Sequence, residues 1–364
     1  MAAIELRHLS RAFGPITAVK DLSIQVADAT LLCLLGPSGS GKTTTMRMIA
    51  GLETPDRGEI RLGDRNITRL EPRDRRIGMM FQGYALYPHM SVRDNIAYPL
   101  RVRGTGRDER NRRVQEVAAM LGIEHLLDRA VAQTSGGQQQ RAALARAIVQ
   151  RPELYLLDEP ISALDAVLRT TMRGEIKRLQ RMLATTTIVV THDQLDALSM
   201  ADVIAVLKDG DLQQLGTPEE VFERPANTFV ARFLGEPQMN LLHGRLEAAG
   251  DHLTVTVLDQ PLEVTPAAAA SLRAGGDRHV LVGIRPRAVR VHRTPAAGLM
   301  PATVYVAAPE GSRVIYEFQL GEHLFKVEAD PELRLDMEDR VFLELRPETL
   351  HFFAAEDDIG RRIA

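Results

Sequence analysis

The 364-residue sequence predicts an α/β domain built on a mainly parallel sheet, followed by a smaller all-β domain. Three observations predict it. Apolar runs of strand length alternate with helix-forming segments over residues 1–235. Four of those runs lead straight into a residue that can carry chemistry: Gly36, Gln82, Asp158 and His192. Beyond residue 235 the helices give way to short strands punctuated by turn signals, the pattern of a barrel. In parallel sheets ligands gather at the carboxyl ends of strands, so one site could hold all four residues.

Residues 4–9 and 22–26 alternate apolar and polar, as two half-buried strands do. Between them, Arg11-Ala12-Phe13-Gly14-Pro15 reads as a turn presenting an aromatic. Leu31-Leu32-Cys33-Leu34-Leu35 is a buried strand. It runs into Gly36-Pro37-Ser38-Gly39-Ser40-Gly41-Lys42-Thr43, which fits G-x-x-x-x-G-K-[ST], the phosphate-binding loop of nucleoside triphosphatases. Residues 43–50 form the helix that follows, closed by Gly51. The motif thus sits where backbone N–H groups and the helix dipole converge on an anion. Lys42 would reach the terminal phosphates, and the Thr43 hydroxyl would join a Mg²⁺ shell.

Residues 58–63 suggest a short strand and 76–81 a buried one ending at Gln82. Tyr84, Leu86, Tyr87 and Pro88 form a loop with few polar side chains, and Ser91-Val92-Arg93-Asp94 opens a helix as a capping box. Residues 89 to about 152 read as helical and arginine-rich, a solvated face. Gln133-Thr134-Ser135-Gly136-Gly137-Gln138 interrupts them, with Ser135 as N-cap of the next helix. Leu154-Tyr155-Leu156-Leu157 is a strand ending in Asp158-Glu159-Pro160; 165–183 is a polar helix; 186–191 is a β-branched strand ending at His192. Residues 203–208 and 211–215 form a hairpin about Asp209-Gly210. In the last third, strands are expected at 241–247, 252–258, 279–285, 302–308, 313–320, 322–328 and 340–346. The stretches 283–289 and 344–350, each carrying Arg-Pro, resemble each other and hint at an internal repeat.

Composition excludes several classes. A net charge of −3 leaves no global basic footprint, against nucleic acid as the main partner. The single cysteine, Cys33, allows no internal disulfide. The N-terminus turns polar too soon for a signal peptide, and no apolar run approaches the ~18 residues of a membrane span. A cytoplasmic protein that meets a membrane only through partners is expected.

A carboxylate ending a buried strand beside a phosphate loop suits Mg²⁺, and Asp158 fits; Glu159 next to it could polarise an attacking water. With these residues in place the chain resembles the ATP-binding subunit of an ABC transporter. Within that family it looks like the carbohydrate-importer ATPases whose cassette is followed by a regulatory domain of OB-like barrels. The motifs stand in family order: 36–43, Gln82, Ser135-Gly136-Gly137-Gln138, Asp158-Glu159, Ser162-Ala163-Leu164-Asp165 and His192. The implied fold is a P-loop ABC ATPase core at 1–235, with a helical subdomain about 89–152, then an all-β OB-like domain at 236–364. The resemblance implies that Phe13 stacks on adenine and that Ser38, Gly39, Gly41, Lys42, Thr43 and Thr44 hold the phosphates of ATP. Thr43, Gln82 and Asp158 hold Mg²⁺, Glu159 is the general base, and His192 contacts the γ-phosphate. Ser135, Gly136, Gly137 and Gln138 complete the site of a second ATPase subunit, two ATP molecules being sandwiched head to tail. The implied partners are that subunit, identical or not, two membrane-spanning permease subunits met through residues 82–90, and indirectly an extracytoplasmic solute-binding protein. The expected location is the cytoplasmic face of the membrane.

The family usually has Leu before Ser-Gly-Gly-Gln; this chain has Thr134. Either the change is tolerated or the subunit pairs with a different ATPase. Sugars, polyols and glycerol-type cargo suit the subfamily; polyamine, iron and sulfate stay open. A soluble ABC ATPase acting on nucleic acid would carry a coiled-coil insertion or a second cassette, and the chain has no sustained heptads.

Overall fold

The computed structural model describes residues 3–162, 164–249, 252–276, 278–355 and 360–364. Ala163 of the Ser162-to-Asp165 stretch lies outside them. The chain forms two compact units, Met1–Glu219 and Glu220–Ala364.

The first unit opens with β1 (Ile4–Phe13) and β2 (Ile16–Val26), an antiparallel pair that is longer than its alternating cores. Arg11 to Phe13 are therefore strand, and the turn is only Gly14-Pro15. β3 (Leu31–Leu35) leads to α1 (Lys42–Ala50). β4 (Arg57–Leu62) and β5 (Arg65–Asn66) complete the first sheet, ordered β2-β1-β4-β5. β6 (Ile77–Met80) follows, with alternating rather than full burial and Phe81 exposed beyond it. Then come α2 (Val92–Val102), α3 (Arg107–Leu121) and α4 (Gly136–Ile148). β7 (Leu154–Asp158), α5 (Ala166–Leu183), β8 (Thr186–Thr191), α6 (Gln194–Met200), β9 (Val203–Lys208) and β10 (Asp211–Gly216) close the unit.

The second sheet runs β10-β9-β3-β8-β7-β6, parallel except at β10. β3, β7 and β8 are buried at every position, so β3 and β7 read as apolar runs and β8 as a β-branched run instead of alternating ones. The register aligns their carboxyl ends: Leu35 pairs with Thr191, Asp158 with Val190, and Met80 with Leu157. Chain geometry therefore brings Gly36, His192, Asp158 and Gln82 to one edge.

In the second unit, α7 (Pro218–Glu223), which begins just before its boundary, and α8 (Thr228–Phe233) precede two five-stranded sheets. One comprises β11 (Asn240–Ala249), β12 (His252–Val257), β13 (Gln260–Glu263), β14 (His279–Ile284) and β20 (Leu350–Ala354). The other comprises β15 (Arg290–His292), β16 (Met300–Pro309), β17 (Val314–Leu320), β18 (His323–Ala329) and β19 (Arg340–Glu344). Their apolar faces, with Val255, Val282, Phe318, Phe325 and Phe352 at 0–1% exposure, form one core. The unit is not strand alone: α9 (Pro266–Gly275) is capped by Thr265 with Pro266 in its first turn. The second compact unit also takes in residues ahead of the expected boundary near 235. Residues 222–234 join the second unit because buried Arg285 donates to the carbonyls of Phe222, Ala231 and Leu234.

Candidate nucleotide site

The phosphate loop takes its shape from glycine. Gly39 and Gly41 have φ of 82° and 95°, a region L side chains rarely adopt. A Cβ on Gly36 would lie 2.2 Å from the Leu207 carbonyl oxygen, and one on Gly41 2.3 Å from that of Ala18. Ser38, Gly39 and Thr43 are exposed and Thr44 is half-buried, so the mouth of the loop is open. Lys42 is 6% exposed and its Nζ donates to Gly36 O and Pro37 O, each at 2.8 Å, and to Ser40 Oγ at 3.3 Å. The lysine is thus held inside the loop by weak neutral acceptors that an anionic phosphate would outcompete. No side chain caps α1, whose first-turn N–H groups are left for a ligand.

Opposite lie the carboxylates. Asp158 is 7% exposed, and burial, then the charge of Glu159, push its carboxyl up to about 6, against the pull of Lys42 and Arg47. Burial lowers Lys42, while Glu159 and Asp158 hold it up. A cation bound at Asp158 would relieve a carboxylate repulsion that Lys42 only partly offsets. Glu159 carries φ of +44°, a strained conformation fixed by its N–H bond to Val190 O at 2.9 Å. Its side chain is anchored on both oxygens: Gln82 Nε2 donates to Oε2 at 2.7 Å, and His192 Nδ1 lies 2.9 Å from Oε1. Three residues predicted from separate strand ends are therefore one hydrogen-bonded group. Among the described residues there is no cluster of three or more His, Cys, Asp or Glu that could hold a metal alone. Asp158 with Thr43 and Gln82 fits Mg²⁺, which takes one or two protein ligands and draws the rest from phosphates and water.

Ser135 caps α4 in a full capping box: its side chain accepts from Gln138 N, and Gln138 Oε1 accepts from Ser135 N. A Cβ on Gly136 would meet nothing within 4 Å, so this helix start is open to a ligand too. Among the described residues no hydrogen bond or ion pair joins residues 135–138 to Lys42, Asp158, Glu159 or His192. Thr134 satisfies its hydroxyl locally, donating to Val131 O at 2.6 Å, and the cap beside it stays intact. Phe13 is 44% exposed, and the Arg11 guanidinium sits 4.8 Å from its ring centroid, tethered by Asp56 and Glu53. One ring face is thus already engaged by a cation.

Sequence reasoning missed the residues that hold this frame. Buried Ser40 meets Lys42. Gln140 on α4 donates to Pro160 O, just after Glu159. Arg169 donates to the carbonyls of Ser162 and Leu164 and to Asp193, beside His192. Arg146 donates to Tyr84 O and Ala85 O, both at 2.6 Å, in the apolar loop after Gln82. The polar helix face in the sequence was the one available signal, and it reads equally as solvated surface.

Comparison with known proteins agrees with this geometry. Family models match for an ABC transporter at residues 19–162, a MalK OB fold domain at 235–289 and a TOBE domain at 282–353. The sulfoquinovosyl glycerol transport ATP-binding protein SmoE of Agrobacterium fabrum is 43% identical over 98% of both chains. The trehalose/maltose import ATP-binding protein MalK of Thermococcus litoralis is 47% identical over 88% of this chain and 89% of its own. An sn-glycerol-3-phosphate import ATP-binding protein, UgpC 3 of Agrobacterium fabrum, is 43% identical over 100% of both. A dimeric structure of a bacterial ABC transporter cassette superposes with a TM-score of 0.53 at 30% identity, over 59% of this chain and 98% of that one. With its nucleotide site at the sheet edge, and with OB and TOBE domains following in the sequence, the chain belongs to the ATP-binding subunits of ABC importers, ATPases coupled to transport.

Proposed function

We propose that the chain hydrolyses MgATP at a site shared with a second ATPase subunit, on the cytoplasmic face of a membrane, to drive import of a carbohydrate or glycerol-type solute through two permease subunits. The observation that carries this reading is the Glu159 carboxylate, clamped by Gln82 and His192 and electrically coupled to Lys42. The loop N–H groups of residues 38–43 and the start of α1 bind the β- and γ-phosphates, and Lys42 leaves its own loop's carbonyls for their oxygens. Phe13 stacks on adenine by its free face. Thr43, Asp158 and Gln82 would hold Mg²⁺, which would supply charge neutralisation to the phosphates. Glu159 takes a proton from the attacking water as its oxygen bonds to the γ-phosphorus; the β–γ bridging bond breaks toward ADP. His192 steadies Glu159 and donates to the γ-phosphoryl oxygens.

Two findings support a shared site: the open, capped start of α4 carries Ser135, Gly136, Gly137 and Gln138 away from Lys42, and the cassette neighbour is dimeric. The locally satisfied Thr134 favours pairing with an identical subunit. The loop of residues 82–90, with Phe81 exposed before it, fits the permease contact. Relatives named for sugars and glycerol phosphate favour such cargo over polyamine, iron or sulfate.

Glu159→Gln tests the assignment. The amide keeps one acceptor oxygen for Gln82, and its NH2 can donate to His192 Nδ1 in the tautomer that leaves that nitrogen unprotonated, but it cannot take a proton. ATP affinity should stay near wild type while turnover falls on the order of 10²-fold or more. Wild-type turnover would remove Glu159 from the role of base.

A further inference from the structure

The two Arg-Pro stretches singled out in the sequence make the same turn. Each leaves a strand, passes through one turn of 3₁₀ helix, Pro286–Ala288 or Pro347–Thr349, and enters a strand of the other sheet. The first runs from β14 to β15 and the second, in the opposite sense, from β19 to β20; β14 pairs with β20 and β15 with β19. The two crossovers therefore meet, and between them lies a cavity of about 450 Å³.

Among the described residues its wall carries Arg224, Arg285, Arg287, Arg346 and Arg362 against two carboxylates, Glu223 and Glu348. Glu223 pairs with Arg287, and Glu348 lies 3.5 Å from Arg346. Arg285, 4% exposed, spends its terminal nitrogens on carbonyl oxygens and stacks on Phe222 at 4.2 Å, so no carboxylate is bonded to its charge. Arg285 Nε, Arg346 Nε and His351 Nδ1 are buried with no hydrogen-bond partner among the described residues. Such buried unpaired groups are rare in folded proteins and call for a water, an ion or a ligand, and all three residues line this cavity. The cations also oppose one another. Burial first, then Arg362 and Arg285, press His351 down to about 4, and burial with Arg224 lowers Arg362.

We propose that this cavity binds a phosphate-type dianion, either inorganic phosphate or a small phosphate monoester. Guanidinium forks suit phosphate oxygens in pairs, and a doubly charged ligand relieves repulsion among like charges that a neutral sugar would leave in place. The volume admits phosphate with a short organic body.

The test uses the full chain carrying Lys42→Ala, so that the phosphate loop of the first unit does not dominate the reading. Calorimetric titration and thermal melting are run with inorganic phosphate and, separately, sn-glycerol 3-phosphate, each against sodium chloride of equal ionic strength. Saturable binding with a raised melting temperature is expected. Arg346→Gln and Arg362→Gln should each weaken it at least tenfold, and Arg290→Gln, on β15 outside the cavity, should leave it unchanged. Tighter binding of the monoester assigns an organic ligand, and tighter binding of phosphate assigns the free ion. An effect matched by sodium chloride, or retained in full by both arginine variants, would overturn the proposal. Should those variants not fold, absence of saturable binding to the Lys42→Ala chain overturns it by itself.

Discussion

Glu159 shows how much the surroundings can impose on one residue. Its positive φ is a conformation that costs a non-glycine residue on the order of 1 kcal/mol or more, and three hydrogen bonds hold it there. The strain turns the side chain out of the line of β7, so that adjacent Asp158 and Glu159 take different partners. His351, in the second unit, is a second case of a residue set by its surroundings. Its ordinary pKa near 6.5 is pressed to about 4, so the folded protein keeps it neutral where the unfolded chain takes up a proton. Its contribution to stability is whole above pH 6.5 and is lost as pH falls from about 6.5 to about 4. The loss should reach up to about 3 kcal/mol. Urea midpoints at pH 7 and pH 4.5, without added phosphate, should separate more for the wild type than for His351→Phe. An equal separation in both would show that His351 does not sense this change.

At the scale of elements, the ends of helices and strands decide the architecture. The end of α1 is held by Arg75, which is 2% exposed and donates to the carbonyls of Met48, Ile49, Thr68 and Leu70. Replacing it with Met would strip four carbonyls of a donor. A loss of about 3 kcal/mol or more in urea unfolding is expected, against a few tenths for the exposed Arg73→Met. Arg75→Lys should recover only part of it, because an ammonium cannot span the four acceptors as a planar fork. The same contrast explains what the sequence made legible. Gly36, Asp158, Glu159 and His192 could be read because a non-alternating apolar or β-branched run delivers each of them, as a strand buried on both faces does. Arg75, Arg146 and Arg169 could not, because an arginine looks the same in sequence whether it faces water or a set of backbone carbonyls. Helix α9 was missed for another reason. Thr265-Pro266 is a sound helix start, but it stands among short strands and was read with them. The strands β15 and β20 are short pieces whose pairing is fixed only by the distant partners β19 and β14.

At the scale of the whole molecule, the phosphate loop and Ser135-Gly136-Gly137-Gln138 belong to one chain yet make no bond with each other, which is the expected state if each serves a different site. A head-to-tail pair of identical chains then contains two sites, each with the loop of one chain and the capped helix start of the other. Mixing two defective chains tests this directly. Lys42→Ala removes the phosphate contact, and Ser135→Arg fills the open helix start with a bulky cation. Each protein alone should show almost no ATPase activity. In the mixed pair, the loop of the Ser135→Arg chain faces the intact Ser135 of the Lys42→Ala chain, and one complete site is restored. With equal amounts, random pairing and independent sites, activity should return to about a quarter of the wild-type rate. Full activity of Ser135→Arg by itself would show that the cassette works without a borrowed helix start. If the mixture stays silent while MgATP still binds the Ser135→Arg chain, either a single restored site is not enough or the partner must be a different ATPase, and the wild-type chain assayed alone separates the two: it is active only in the first case.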